Sequence, residues 1–454
     1  MHSYANYKAS IIESIDKIPQ HWNYNRFKYI FKFGKGLNIT KENLTDEGIP
    51  CLNYGEVHSK YGFEVDPEIH PLKCVSDKYL KRSKSSLLNI GDFVFADTSE
   101  DIEGSGNFTY LNSTELVFAG YHTVIARPKE LVNSRFLAYL IDSIAFRTQI
   151  RKKVKGVKVY SITQAILRDT LLWFPPKIEQ TLITNFLDQK TEKIDDTITT
   201  KEKQISLLNE RKKILIQNSV IRGLDPDVPI QDSGVDWIGD IPAHWSVTKL
   251  KFIFQEINER TTTGTEVLFS LRMKKGLVPH NDVSDKHIPA ENLIDYKIVE
   301  EGQFVMNRMR ASIGIFGIAY ARGLVSPDYA IFKSTKGIHK EFYLMLFKST
   351  ILGTQFRLNS KGLGTGSSGF MRLYTENFGG IKVPLPPEQE QEQIMEFIEV
   401  ESEKIEKAIS LQEQQLDKLK EYKATLINSA VTGKIRVLGV EDISAEVKET
   451  ECTP

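Results

Sequence analysis

Residues Pro175–Val220 read PPKIEQTLITNFLDQKTEKIDDTITTKEKQISLLNERKKILIQNSV, with no Gly or Pro after Pro176. Good helix formers mix with Ile and Thr, and the apolar residues keep a fixed step. Leu187, Ile194, Leu208 and Leu215 share one heptad position, and Ile198 and Ile205 share the second inward one. Such a repeat belongs to a helix that buries a narrow stripe against another helix. At ~1.5 Å per residue the helix extends roughly 65 Å, more than the interior of one globular domain requires. A partner begins 211 positions later and runs without a gap: Pro386–Val431 reads PPEQEQEQIMEFIEVESEKIEKAISLQEQQLDKLKEYKATLINSAV. There Ile398, Ile405, Leu419 and Leu426 repeat the first set, and Ile409 and Leu416 the second. Polar interruptions recur as well, Lys201 answered by Gln412 and Lys212 by Lys423. Polar residues at inward positions pin register.

The chain has 454 residues, enough for about two to four domains with real cores. Its 59 basic and 59 acidic residues cancel, so any nucleic-acid binding must rest on local patches. Three cysteines (Cys51, Cys74 and Cys452) show no CxxC spacing, which fits a reduced compartment without a structural zinc. No apolar run approaches the ~20 residues of a membrane span, and Met1–Gln20 lacks a signal-peptide pattern. The expected location is the cytoplasm, with no membrane partner.

A second repeat lies ahead of each long helix. Ile18-Pro19-Gln20-His21-Trp22 with Arg26-Phe27-Lys28-Tyr29-Ile30-Phe31 returns as Ile241-Pro242-Ala243-His244-Trp245 with Lys249-Leu250-Lys251-Phe252-Ile253-Phe254. Each copy therefore reads as opening motif, variable region, Pro-Pro, long helix. The variable regions carry mixed α/β patterns. A turn at Gly91 leads into an apolar strand at Phe93–Phe95, His122–Ala126 is a second strand, and Phe136–Ile150 has helical spacing. Gly302–Met306, Asp328–Ile331 and Phe342–Leu346 answer these landmarks in the second copy. Frames agree while loops differ, as expected of two copies that share a fold but recognise different things. Arg222–Pro229 is a turn-rich linker, and Glu441–Pro454 an acidic tail expected to be disordered.

Catalytic signatures are nearly absent. No Walker loop occurs; Gly433-Lys434 is followed by Ile435. Gly362–Gly369 is the best phosphate-cradle candidate, but it lacks the lysine and reads better as a mobile surface loop. The double prolines follow Phe174 and Leu385, so neither forms the segment with which amino-methyltransferases hold a target amine. No His/Cys cluster has metal-ligand spacing, and His21 and His244 read as packing residues beside Trp22 and Trp245. No catalytic or metal-binding residue is assigned.

Basic patches are better represented. Arg147, Arg151, Lys152, Lys153, Lys155 and Lys158 fall within twelve residues that contain no acid, and such cations can displace counterions from a phosphate backbone. The competing reading is a solvated helix end. In the second copy Asn307-Arg308-Met309-Arg310 follows an apolar strand, and Arg and Asn are the side chains that read guanine and adenine edges bidentately. Arg357, Asn359, Lys361 and Arg372 flank the Gly/Ser loop. These residues are the candidate DNA contacts.

The Ile-Pro-x-His-Trp opening, the glycine turn before a strand, and Pro-Pro-x-x-Glu-Gln (Pro175-Pro176 to Glu179-Gln180; Pro386-Pro387 to Glu390-Gln391) resemble the specificity subunits of type I restriction–modification systems. Asp232–Asp240 before the second opening is also typical; Ala9–Ser14 departs from it, and Gln303 replaces the usual acid after Gly302. The resemblance implies two target recognition domains, each binding half of a split site on double-stranded DNA. The two helices would pair antiparallel and set the gap. They would also dock two methyltransferase subunits, with two ATP-driven restriction/translocase subunits completing the complex. S-adenosylmethionine, ATP and Mg would sit on those partners and not on this chain.

The expected fold is α+β: two mixed α/β recognition domains joined by two long helices in an antiparallel coiled coil, pseudo-two-fold and nearly circular. The expected divisions are residues 1–174 and 241–385 for the recognition domains, 175–222 and 386–433 for the helices, 223–240 for a linker and 434–454 for the tail. By the logic of the repeat, Tyr7–Trp22 should sit beside the end of the second helix, near Val431. A coiled-coil scaffold or inactive relative that binds only protein is the alternative.

Overall fold

The computed structural model describes residues 3–130, 133–156, 159–286, 288–335, 338–363 and 370–437. The acidic tail at 441–454, Cys452, and residues 364–369 of the glycine-rich loop lie outside the described residues. Both long helices form, over Lys177–Arg222 and Glu388–Val431. The chain separates into two compact units, residues 1–201 with 414–454, and residues 202–413. The division cuts each helix near its middle and so differs from the linear division expected from sequence. Antiparallel pairing is the reason. Within each unit the first part of one long helix packs on the last part of the other.

Unit 1 is built on a five-stranded sheet of β1 (Phe31–Lys35), β2 (Phe63–Val65), β3 (Phe93–Ala96), β4 (Phe108–Leu111) and β5 (Thr123–Pro128), in the order β1-β5-β3-β4-β2. Only the β4–β2 pairing is parallel. Every residue of β3 is buried, because the sheet is covered on both faces. On one face Phe93, Phe95 and Phe108 meet Phe136, Leu140 and Phe146 from helices Ser134–Asp142 and Ile144–Arg151. The same core takes in Ile183, Leu187 and Ile194 from the first long helix and Leu426 and Val431 from the second. On the other face Val94, Ala96 and Ile125 pack on Leu52, Val57, Leu88 and Val117, most of them from an outer four-stranded sheet.

Unit 2 repeats the frame with β6 (Phe254–Ile257), β7 (Phe304–Asn307), β8 (Phe316–Ile318) and β9 (Tyr329–Ser334), ordered β6-β9-β7-β8. That is the β1-β5-β3-β4 order of unit 1. Detail is repeated too. Ser143 breaks the expected Phe136–Ile150 helix in two: its hydroxyl accepts from Phe146 N at 3.3 Å and donates to Leu140 O at 2.6 Å. Ser349 does the same with Leu352 N at 3.3 Å and Leu346 O at 2.7 Å. Gly91 (φ +85°) and Gly302 (φ +77°) make the turns into β3 and β7. After each glycine a side-chain oxygen closes the turn: Asp92 accepts from Asn89 N, and Gln303 from Glu300 N, both at 2.9 Å. An amide oxygen thus does the work of the usual carboxylate.

The outer layers differ. Unit 2 carries two small two-stranded sheets, the hairpin of Phe269–Arg272 with Gly276–Pro279 and the non-consecutive pair Lys297–Val299 with Gly323–Val325, in place of the four-stranded sheet of unit 1.

The opening motif closes a corner in each unit. Glu179 is 1% exposed; its carboxylate accepts from Trp22 Nε1 at 3.1 Å and Tyr4 Oη at 2.5 Å and pairs with His21 Nε2 at 2.7 Å. Glu390, the residue 211 positions later, accepts from Trp245 Nε1 at 2.9 Å and pairs with His244 Nε2 at 2.8 Å. The next residue of the motif also has its role: Gln180 donates to Pro175 O and Gln391 to Pro386 O, both at 2.9 Å. Gly433 (φ +70°) and Gly223 (φ +76°) end the long helices against these corners. A Cβ on Gly433 would lie 2.4 Å from Pro19 Cδ, and one on Gly223 3.2 Å from the Trp245 ring.

The first copy, departing at Ala9–Ser14, has Ile11 and Asp16 where the second has the positive-φ glycines Gly234 (φ +65°) and Gly239 (φ +69°), but it keeps the bond that closes the loop. Ser10 N donates to Asp16 O at 3.0 Å as Ser233 N does to Gly239 O at 3.1 Å. Tyr7 Oη donates to Gly433 O at 2.9 Å, and Trp173 Nε1 donates to Val431 O. The N-terminal segment therefore sits at the end of the second long helix, as the repeat implied.

Candidate nucleic-acid interface

The helical seam is built as the heptads require. Leu187, Ile194, Ile398, Ile405, Leu416 and Leu426 are buried, and Ile198, Ile205, Leu208, Leu215, Ile409 and Leu419 half-buried. In unit 1 Lys423 Nζ lies 2.7 Å from both carboxylate oxygens of Asp195. In unit 2 Lys212 bonds Glu406. Asp195 and Glu406 are 211 positions apart, as are Lys212 and Lys423, so each pair is the other's image. Lys201 Nζ adds a bond to Gln415 Oε1 at 2.6 Å. Exposed pairs of this kind contribute about 0–1 kcal/mol each. Their effect is to select one register and orientation.

The candidate reading surface lies where β3 and β7 run out. In unit 2, β7 ends at Asn307, whose Oδ1 accepts from Met309 N at 3.1 Å, and Arg310 is exposed beyond it. Leu373 N donates to Arg308 O at 2.9 Å, which brings the segment after the Gly/Ser loop back to the strand end. Arg372 Nη2 donates to Asp328 Oδ1 at 2.7 Å. Tyr329 stands at the centre: burial raises its pKa, while the charges of Arg272 and Arg310 oppose that shift. Arg357 and Lys361 are exposed, and Asn359 donates to Gln355 O at the end of its helix at 2.9 Å.

Arg308 is placed differently from its neighbours. Its guanidinium is turned inward, donating to Glu256 Oε1 at 2.5 Å and Thr375 Oγ1 at 3.3 Å, with Lys297 Nζ 3.5 Å from the same Glu256 oxygen. Arg147 is likewise held inside unit 1, by Asn107 Oδ1 at 2.7 Å and Asp142 Oδ1 at 2.8 Å. Arg308 is claimed by a carboxylate 52 residues away in sequence, and Arg147 by an amide 40 residues away together with the nearby Asp142. Arg151 donates to Glu103 O, and burial, with Arg147 beside it, holds its pKa below the ordinary value. Lys152 pairs with Glu13 at 2.7 Å and Lys153 donates to Asp169 O at 3.2 Å. Lys155 is exposed, and Lys158 lies outside the described residues. The basic run is thus a partly neutralised helix end, followed by exposed Lys152, Lys153 and Lys155, the first two of them paired with acidic residues.

The equivalent strand end in unit 1 is acidic and was not singled out from sequence. With Gly91 placed opposite Gly302, Asp97-Thr98-Ser99 stands opposite Arg308-Met309-Arg310. Ile162 N donates to Asp97 O at 2.7 Å, as Leu373 does to Arg308. Around it stand exposed Glu100 and Asp101, and His122, whose Nδ1 is 3.2 Å from Asp97 Oδ1. His122 holds φ +54°, a left-handed conformation that costs a non-glycine residue about 1 kcal/mol or more. Tyr54 is raised in pKa by burial and then by Glu100, Asp101 and Asp97. The offset of 211 alone could have located this surface.

Comparison with known proteins agrees with this duplicated frame. A family model described as the type I restriction modification DNA specificity domain matches residues 19–207 and again 242–421. A relative provisionally named as the MjaX specificity subunit of a type I restriction enzyme, from Methanocaldococcus jannaschii, is 24% identical and covers 93% of this chain and 96% of its own. The EcoKI specificity subunit of Escherichia coli K12 is 22% identical, covering 85% and 83%. A solved structure, reported for complex assembly and conformational transition of the type I R-M system, covers 92% of this chain and 99% of its own at TM-score 0.64 and 14% identity, and so shares the fold. With two matched domains over most of its length, the chain belongs to the type I restriction–modification DNA specificity family and is a DNA sequence-recognition subunit.

Proposed function

We propose that each unit reads one half of a split DNA site, and that the two long helices set the gap between the halves and dock methyltransferase subunits. The observation that carries this reading is one repeated frame presenting unlike strand ends. Asn307, Arg310 and Arg372 in unit 2 offer donors suited to guanine, with Asn307 also suited to adenine; Asp97, Glu100 and Asp101 in unit 1 offer acceptors suited to the cytosine amino group. The cations at Lys155, Arg357 and Lys361 would hold phosphates and orient the duplex.

Membership of the specificity family supports giving this chain recognition and assembly rather than chemistry. Among the described residues no group of three or more His, Cys, Asp or Glu could hold a metal, and no helix is long and apolar enough to cross a membrane. S-adenosylmethionine, ATP and Mg belong on this reading to two modification and two restriction/translocase subunits, in the cytoplasm. The target adenine would be flipped into the modification subunit. Purified chain with its cognate modification subunit should protect one gapped duplex sequence and methylate adenine in each half. Equal binding to all duplexes of the same length would refute the reading.

A further inference from the structure

With the opening motifs aligned, 223 positions apart, Tyr29 falls opposite Phe252 and Lys28 opposite Lys251. The turns that carry them are held alike. Phe27 N donates to Thr170 O and Leu250 N to Ile381 O, both at 2.9 Å; Lys129 N donates to Ile30 O at 2.9 Å and Thr335 N to Ile253 O at 2.7 Å. Phe27 and Leu250 are fully buried and anchor the turns. The aromatic two residues later faces out in both copies, Tyr29 59% and Phe252 65% exposed. Over each ring lies a lysine, Lys28 Nζ and Lys251 Nζ both 5.1 Å from the centroid. More exposed cations lie on or directly after the same and adjoining strands: Arg26, which pairs with Asp169, with Lys32 and Lys129 in unit 1, and Lys249, Lys333 and Lys382 in unit 2, where Lys249 and Lys382 face each other across antiparallel strands.

A single exposed aromatic needs no explanation. The same one in both copies of a diverged repeat does, because neither turn uses it for packing. The reading surfaces of the two units have opposite charge, whereas these faces match, so they suit something identical at both sites. A phosphate backbone is identical at both sites, but Phe252 has no polar atom to offer it. An exposed aromatic is the kind of side chain that anchors a protein–protein contact, and the lysines beside it belong to a polar rim whose charge the partner must match. We propose that each unit docks one copy of the same protein through Tyr29 or Phe252, in an apolar socket rimmed by acidic side chains that receive the lysines. The inference rests on the assembly reading above and adds to it a contact site away from the helices.

The test uses the full chain and its cognate modification subunit, with native mass spectrometry for stoichiometry and sedimentation for affinity. Wild type should bind two copies. Tyr29→Ala and Phe252→Ala should each weaken one of the two by on the order of tenfold, and the double variant both. Lys28→Glu and Lys251→Glu, which keep the rings, should weaken the same copies. Unchanged circular dichroism excludes loss of fold, as expected for exposed side chains. A double variant that binds two copies as tightly as wild type overturns the surface alone. So does one that assembles normally but loses DNA with a reduced salt slope, since the face would then contact phosphate. A wild-type chain that recruits no modification subunit overturns the assembly reading and this surface with it.

Discussion

Replacing Glu179 by Ala should open its corner far more than Glu390→Ala opens the other. Glu179 is buried and is the acceptor for Tyr4 Oη and Trp22 Nε1, both on buried side chains, and for His21. An unpaired buried donor costs about 1–3 kcal/mol, so two give about 2–6 kcal/mol, while half-exposed His21 can turn to water. The Glu390 side chain is 23% exposed and, of its two partners, only Trp245 is buried. There the loss should be about 1–2 kcal/mol. A single melting curve would blend the two units. Hydrogen exchange on intact chain, followed in peptides spanning residues 18–30 and 241–253, reports each corner separately. Equal losses in the two variants, or a Glu179→Ala effect below about 0.5 kcal/mol, would refute the argument that the carboxylate holds the opening motif.

Seven residues inserted in each long helix keep heptad phase and add about 10 Å, or about three base pairs at ~3.4 Å each. Mapping of modified adenines should then show a longer gap between unchanged half-sites, and an altered half-site would sink the idea that the helices measure distance. Arg310→Ala should relax specificity at one position of one half-site by about 1–3 kcal/mol, measured by competition between duplexes. Arg308→Ala should instead destabilise unit 2, because it strips Glu256 of a cation inside the fold; a pure loss of DNA binding with unchanged stability would contradict that placement. Burial pushes the Cys51 thiol up to about 12, so its thiolate is scarce at pH 8. Cys51 should therefore resist alkylation until the chain is unfolded, as peptide mass mapping would show.

The long helices, the opening motifs and the strand turns were legible because each rests on local periodicity or on residue types with narrow backbone roles. Gly91 and Gly302 mark turns that positive φ requires, and the heptads name the residues that fill the seam. The ionic partners of the seam were half legible. Lys212 and Lys423 stood out as polar intrusions, but that Glu406 and Asp195 receive them depends on which turns face each other. The reading surface was the least legible part. A run of cations says nothing of the groups that approach from elsewhere in the chain, Asn107 onto Arg147 and Glu256 onto Arg308, so both looked the same in sequence as exposed Arg310. The acidic surface at Asp97 escaped for the opposite reason: a search for DNA contacts looks for positive charge.

Unit 1 is assembled from both ends of the chain, since its core includes Leu426, Ile427, Val431 and Val437 together with Trp22 and Phe27. Unit 2 holds only residues 202–413. On a ribosome, then, the reader made first is the one finished last. Unit 2 can close once its own segment has emerged, whereas the first reader must keep its unfinished apolar face until the final turns of the second helix arrive. Chains released early would carry one complete reader and one exposed core, a form that chaperones or proteases would remove before it could join a complex.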